Sequence, residues 1–247
     1  MRPFVLLATR ADDAVADAEY EAFRRYGSLK PDELVRVRLE AGALERAVPG
    51  FDPAEYAGLI IGGGPFNASD PPETKSATQR RVEAELGEVL DDVVARDLPL
   101  LGACYGVGLL GTRFGGVVDG TYGEPIGAVP VTLTDEGRRD PLLAGLPTTF
   151  EAFVGHKEAC TTLPPDAVLL ASSPSCPAQV FRLGRNVYAT QFHPELDVAG
   201  LVARIRAYQY DGYYPPAEVD AVVASVQGSD VAVPPRMVAR FVEIFRR

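Results

Sequence analysis

The chain has 247 residues, 47% apolar and 23% charged, with a formal charge of −10: the profile of a soluble globular protein able to bury a sizeable core. Its net negative charge argues against nucleic acid or an anionic membrane as the main partner, because both repel an acidic surface. Three cysteines (Cys104, Cys160, Cys176) and two histidines (His156, His193), with no HExxH or CxxC pattern, exclude a disulfide framework and leave a zinc site short of ligands, so no metal or cofactor is expected.

At the start, MRPFVLLATRADD holds an apolar run too short for a signal peptide or a spanning helix of roughly 20 residues, which predicts a cytoplasmic protein. Phe4 to Ala8 reads as a buried strand, and ADDAVADAEYEAFRRYG, acidic early and basic late with a closing glycine, as a helix. Leu34 to Glu40 alternates as a second strand. Ala57 to Pro65 is a third strand ending in a glycine run, and a long helix is predicted within Lys75 to Arg96. LPLLG then forms a fourth strand. Strands alternating with helices predict an α/β fold, an open and mostly parallel sheet flanked by helices.

After Gly116 the pattern changes to short β segments that extend the sheet or form a small antiparallel flap. Helices are expected around Asp197 to Tyr210, Ala217 to Gln227 and Pro235 to Arg247, joined first by YDGYYPP. The reading is one α/β domain over residues 1–209 with a helical C-terminal extension, 210–247, packed on it.

Three stretches carry chemistry. LLGACYGVGLLG runs a strand into GxCxG and then a helix, the thiol version of a nucleophile elbow. Gly102 and Gly106 flank Cys104 where a β-carbon would clash, and the helix beginning near Tyr105 would point free N–H groups at the sulfur and stabilise its thiolate. The competing reading is a buried cysteine acting as a small hydrophobe. In QFHPE, residues i and i+2 of a strand share a side with Cα atoms about 6.5 Å apart, so Glu195 can orient His193 as a general base. Alone, that pair also fits a surface histidine beside a chance acid. GGGP, Gly62 to Pro65, ends a predicted strand at the sheet edge where Cys104 lies; it supplies either a backbone donor or a plain turn, and it lacks a P-loop pattern.

Strand-GGGP, GACYG and FHPE, in this order and spacing, resemble the class I (triad) glutamine amidotransferases, most closely the stand-alone relatives of the GMP synthase glutaminase domain. The likeness covers about Phe4 to Arg206. It implies a flavodoxin-like, class I amidotransferase fold with Cys104 as nucleophile, His193 as base and acid, and Glu195 as its orienter. It also implies an oxyanion hole from the N–H groups of Gly64 and Tyr105, and substrate contacts at Gly63, Gly108, Gly155, His156 and Lys157.

The implied reaction hydrolyses the side-chain amide of glutamine to glutamate and ammonia through a γ-glutamyl thioester, the ammonia passing to a partner synthetase. A γ-glutamyl peptidase on the same scaffold, or a non-catalytic binding domain, are the alternatives. The chain departs from the family at Gly108, where CxGxQ places glutamine, at Gly62, where many relatives have serine, and at GHKE (155–158) in place of SHGD. Gly108→Gln is accordingly expected to raise affinity for free glutamine. With no ATP-pyrophosphatase domain in these residues, GMP synthesis by this chain alone is not expected.

Overall fold

The structure, a computed structural model, describes residues 2–210 and 212–246. The first apolar run forms β1 (Phe4–Ala8), buried at every position, and the segment after it forms α1 (Asp13–Tyr26). Asp12 caps that helix by accepting from Val15 N–H, and acidic Asp13 in the first turn with Arg24 and Arg25 in the last complements the helix dipole. Next come β2 (Leu34–Arg38), the short α2 (Leu44–Ala47), β3 (Leu59–Ile61), α3 (Ala77–Ala95) capped by Ser76, β4 (Leu100–Ala103) and α4 (Tyr105–Arg113). The second half contains β5 (Val117–Asp119), β6 (Glu124–Leu133), α5 (Asp135–Arg139), β7 (Thr149–His156), β8 (Ala159–Thr162), β9 (Val168–Ser172), β10 (Val180–Leu183) and β11 (Val187–Thr190). The chain closes with α6 (Val198–Ala207), α7 (Val219–Val226) and α8 (Pro234–Phe245).

Nine strands form one sheet in the order β2-β1-β3-β4-β11-β10-β9-β6-β7. From β2 to β11 every pairing is parallel, and from β11 to β7 every pairing is antiparallel. The late segments therefore do both things expected of them: most extend the sheet, while β5 and β8 pair separately. No helix among the described residues is long and apolar enough to cross a membrane.

Strand alternation splits the core between the two faces. Phe4 and Leu6 of β1 pack with Phe23 of α1 and with Phe241 and Phe245 of α8, while Val5 and Leu7 pack with Val82 and Leu86 of α3 and Leu110 of α4. A third cluster joins Leu201 and Ile205 of α6 to Val223 and Val226 of α7 and to Phe153 of β7. That packing fixes α6 beside the ends of the central strands.

Because β1, β3, β4 and β11 are parallel neighbours, their carboxyl ends open onto one edge. Thr9 and Arg10 follow β1, the glycine run follows β3, Cys104 follows β4 and QFHPE follows β11. One expectation changes here: β11 ends at Thr190, so His193 and Glu195 lie in the turn beyond the strand. Their meeting comes from that turn and not from strand periodicity.

Candidate active site

Cys104 sits between β4 and α4 with φ 50° and ψ −85°, a left-handed conformation that costs a non-glycine residue about 1–2 kcal/mol. The turn is held by its surroundings. Cys104 N–H donates to Thr190 O at 2.7 Å, tying the elbow to the end of β11. A β-carbon on Gly102 would lie 3.1 Å from Gly106 Cα, whereas one on Gly106 would meet nothing nearer than Ile61 at 4.0 Å. The steric need is thus Gly102's, and Gly106 supplies the backbone surface it approaches.

Cys104 and His193 line the same cavity. His193 Nδ1 lies 2.9 Å from Glu195 Oε1, and Arg204 of α6 donates to that same oxygen from Nη2 at 2.8 Å. Arg204 also reaches Glu19 of α1, Nη2 to Oε1 at 3.4 Å, and Arg10 donates to that Glu19 oxygen at 2.8 Å. Arg10, Glu19, Arg204 and Glu195 form a chain of alternating charges behind the imidazole, all nearly removed from water. Glu19 enters because residue 62 is glycine: a β-carbon there would fall 2.4 Å from Glu19 Oε2.

These charges set the protonation of the site. Burial would raise the Glu195 carboxyl, but His193 and Arg204 outweigh it and hold Glu195 below the usual carboxylate range. Burial, assisted by Arg204 and Arg10, holds His193 below its ordinary 6.5 in spite of Glu195. Burial also pushes the Cys104 thiol up to about 12, Glu158 and Glu195 adding to the rise while Arg10 and Arg204 oppose it. This corrects the expectation of a thiolate stabilised by the helix terminus: the resting pair is a thiol and a neutral imidazole. Burial at the sulfur outweighs the opposing charges of Arg10 and Arg204.

The N–H groups of Gly64 and of Tyr105, the first residue of α4, have no hydrogen-bond partner among the described residues. Gly64 is pressed against Thr9, whose hydroxyl donates to Gly63 O at 3.2 Å and fixes the glycine loop. Gly63 abuts His193: a β-carbon there would lie 2.4 Å from Cε1 of the ring.

The other expected substrate contacts divide. Gly155, His156 and Lys157 line the cavity. Both nitrogens of His156 are already occupied, Nδ1 against Glu158 O and Nε2 against Glu124 Oε2, each at 2.8 Å. Its part is to brace the loop, with no nitrogen left for a substrate. Lys157 places its ammonium 4.7 Å from the centre of the Tyr213 ring, joining the loop to the tyrosine-rich joint. Gly108 is buried in α4 and does not border the cavity. The space a side chain would need there is filled by Glu158, whose Oε1 lies 2.4 Å from the β-carbon position. That carboxylate accepts from Ala68 N–H, Ser69 N–H and the Ser69 hydroxyl.

Arg10, Glu19, Glu158, Gln191 and Arg204 are the site residues that sequence reasoning missed. Gln191 lay within QFHPE and was open to notice; its buried Oε1 is unpartnered. Glu158 likewise lay within GHKE, while Arg10, Glu19 and Arg204 come from distant elements and carry no local signature.

Against known proteins, the model of the glutamine amidotransferase class-I family matches residues 28–199, a span holding Cys104, His193 and Glu195 but not Arg10, Glu19 or Arg204. One subunit of a glutamine-hydrolyzing GMP synthase from Methanobrevibacter smithii is 29% identical over 167 residues, 67% of this chain and 74% of that protein. YfeJ, a glutamine amidotransferase-like protein of Salmonella typhimurium, is 33% identical over 160 residues, 64% of each chain. Full-length GMP synthases match as well, that of Borrelia garinii at 27% over 69% of this chain, but only 31% of its own length is spanned. A solved glutamine amidotransferase from Thermotoga maritima superposes with a TM-score of 0.74 at 17% identity, covering 98% of this chain and 99% of that one. One from Methylobacillus flagellatus gives 0.69 at 20% identity, covering 100% and 96%; at these identities the likeness is one of fold. With the family model matching well over half of the chain, the protein belongs to the class-I glutamine amidotransferase family.

Proposed function

We propose that the protein is a thiol amidohydrolase that cleaves the side-chain amide of glutamine, with Cys104 as nucleophile, His193 as base and acid, and Glu195 as orienter. The observation that carries this reading is the shared cavity of Cys104 and His193, with Glu195 Oε1 2.9 Å from His193 Nδ1. A carboxylate at Nδ1 holds the proton there and leaves Nε2 free to take the thiol proton.

As the sulfur attacks the amide carbon, the proton passes from Sγ to His193 Nε2, and negative charge develops on the amide oxygen. The unengaged N–H groups of Gly64 and Tyr105 are the donors for that charge, each such donor being worth on the order of 3 kcal/mol. His193 then gives its proton to the leaving nitrogen, the C–N bond breaks and ammonia departs. Water, deprotonated by the same imidazole, splits the γ-glutamyl thioester to glutamate and restores the thiol.

A relative named as one subunit of GMP synthase supports a reading in which the ammonia is passed to another protein, a synthetase. The test is to follow ammonia and glutamate from glutamine with wild type and Cys104→Ala, and to treat the protein with an electrophilic γ-glutamyl analogue. Release that depends on Cys104, with labelling at its sulfur, is expected. No labelling and no turnover of any amide would overturn the reading.

A further inference from the structure

Arg10 enters the cavity from the loop after β1 with a guanidinium that the protein only partly uses. Nε donates to Glu19 Oε1 at 2.8 Å and Nη1 to the Tyr208 hydroxyl at 3.2 Å. Nη2 has no hydrogen-bond partner among the described residues. With its side chain only 5% exposed, Arg10 is a permanent charge at the cavity wall with N–H donors left over.

Its position is at the reacting centre. The point a β-carbon on Gly63 would occupy lies 2.4 Å from His193 Cε1 and 2.6 Å from Arg10 Nη2, so imidazole and guanidinium flank one glycine. Of the charges around Cys104, Arg10 acts on the thiol most strongly.

Which part of a substrate meets this cation follows from the reaction. The leaving nitrogen must come within reach of His193 to receive its proton, while the amide oxygen turns toward Gly64 and Tyr105. A substituent on that nitrogen therefore runs past His193 into the same cavity, whose lining includes Arg10, Leu196, Leu201, Ile205 and Tyr208. Ammonia has no use for an apolar wall or a cation, whereas an amine bearing a carbon chain and a carboxylate matches both.

The geometry points to a leaving-group subsite in which Arg10 binds a carboxylate on the departing amine, making γ-glutamyl amides of amino acids a substrate class of this enzyme. The inference rests on the thiol amidohydrolase reading above, and the bond changes are the same. The Sγ–C bond forms, the C–N bond breaks, the thiol proton travels through His193 to the leaving nitrogen, and a free amino acid departs in place of ammonia. Water then releases glutamate.

The experiment compares γ-glutamylglycine with γ-glutamylglycinamide, which lacks the leaving-group carboxylate, on wild type, Arg10→Lys and Arg10→Met. On wild type the acid is expected to exceed the amide in kcat/KM by about tenfold or more, chiefly through KM, the scale of a charge-assisted contact. Arg10→Met should bring the two to equal values, and Arg10→Lys should keep part of the preference. Should Arg10→Met fail to fold by circular dichroism, the wild-type comparison decides alone. Equal kcat/KM for acid and amide on wild type overturns the proposal. So does an Arg10→Met loss that is the same for both, since Arg10 would then serve the glutamyl half. Glutamine turnover with neither dipeptide cleaved also overturns it while leaving the amidohydrolase reading intact; only absent labelling of Cys104 with no amide turned over removes both.

Discussion

Arg204 and His193 meet nitrogen to nitrogen: Nη1 of the guanidinium lies 3.1 Å from Nδ1 of the imidazole. A guanidinium N–H can only donate, while Glu195 Oε1, 2.9 Å from the same Nδ1, can only accept. The two neighbours favour opposite tautomers. With the proton on Nδ1, His193 donates to Glu195 and Nε2 is free to act as base; with Nδ1 bare, it accepts from Arg204 and the base is lost. Glu19 draws Arg204 from the other side at 3.4 Å, which limits its hold on the imidazole.

Removing the Arg204 charge should therefore show in the pH profile. Arg204 and Arg10 both lower His193, and Glu195 raises it. Arg204→Met takes away one lowering influence and leaves Glu195 less neutralised, so both changes raise His193. The acid limb of kcat/KM is expected to move to higher pH, with a fall in kcat of up to about 100-fold, the scale of an ångström misplacement. Arg204→Lys, which keeps the charge, should hold the limb near its wild-type position. A limb that stays fixed in Arg204→Met would assign the residue a purely structural role.

The elbow predicts opposite effects on stability and activity at a single position. At φ 50° Cys104 carries backbone strain that glycine does not feel. Cys104→Gly is expected to abolish turnover and to raise the free energy of urea unfolding by about 1 kcal/mol relative to Cys104→Ala. Cys104→Ala should be equally inactive without that relief. If the two variants unfold at the same urea concentration, the turn stores no strain.

What was legible in the sequence was local. Strand runs such as FVLLA and the acidic-to-basic helix segment that follows it depend on near neighbours, and their elements form as read. The GxCxG turn could be recognised because Gly102 meets Gly106 across four residues. Contacts that close over long separations were not legible. Glu19 and Arg204 are 185 residues apart, and neither Glu19 at Gly62 nor Glu158 at Gly108 follows from any periodicity. The thiolate expectation was incomplete for a related reason: the sequence displays the helix terminus beside Cys104 but not the burial around it, which pushes the thiol up.

Gly108 is where this matters most for engineering. From the family pattern Gly108→Gln should improve glutamine binding, yet the structure predicts the reverse. A β-carbon there would fall 2.4 Å from Glu158 Oε1 and 3.0 Å from Ala68 Cβ. Displacing Glu158 would strip a buried carboxylate from Ala68 and Ser69. The single variant should lose about 1–3 kcal/mol, as overpacked sites do, with no gain in affinity by calorimetry. Gly108→Gln combined with Glu158→Ala should recover part of that loss, because the two changes share one space and are not additive. A stable Gly108→Gln single variant with tighter glutamine binding would contradict the assignment of that space to Glu158.

The same buried charges make stability depend on pH with a definite sign. His193 is held below 6.5 in the folded protein, so it is neutral in both states above that value and contributes nothing there. Below 6.5 the unfolded chain takes up a proton that the folded site resists, and stability falls. Glu195 is depressed from its ordinary 4.5 by His193 and Arg204, so its contribution is complete above 4.5 and is lost as the pH drops below it. Both effects run in one direction, starting with His193 and continuing with Glu195. Urea unfolding measured downward from neutral pH should show stability declining first below 6.5 and then more steeply below 4.5. His193→Gln should flatten the upper part of that decline and also shrink the lower part, because His193 is one of the two groups that depress Glu195, with Arg204 keeping the remainder. A wild-type protein of constant stability between those two pH values would show that the imidazole protonates as readily in the folded site as in the unfolded chain, and that the charges behind it do not act as described.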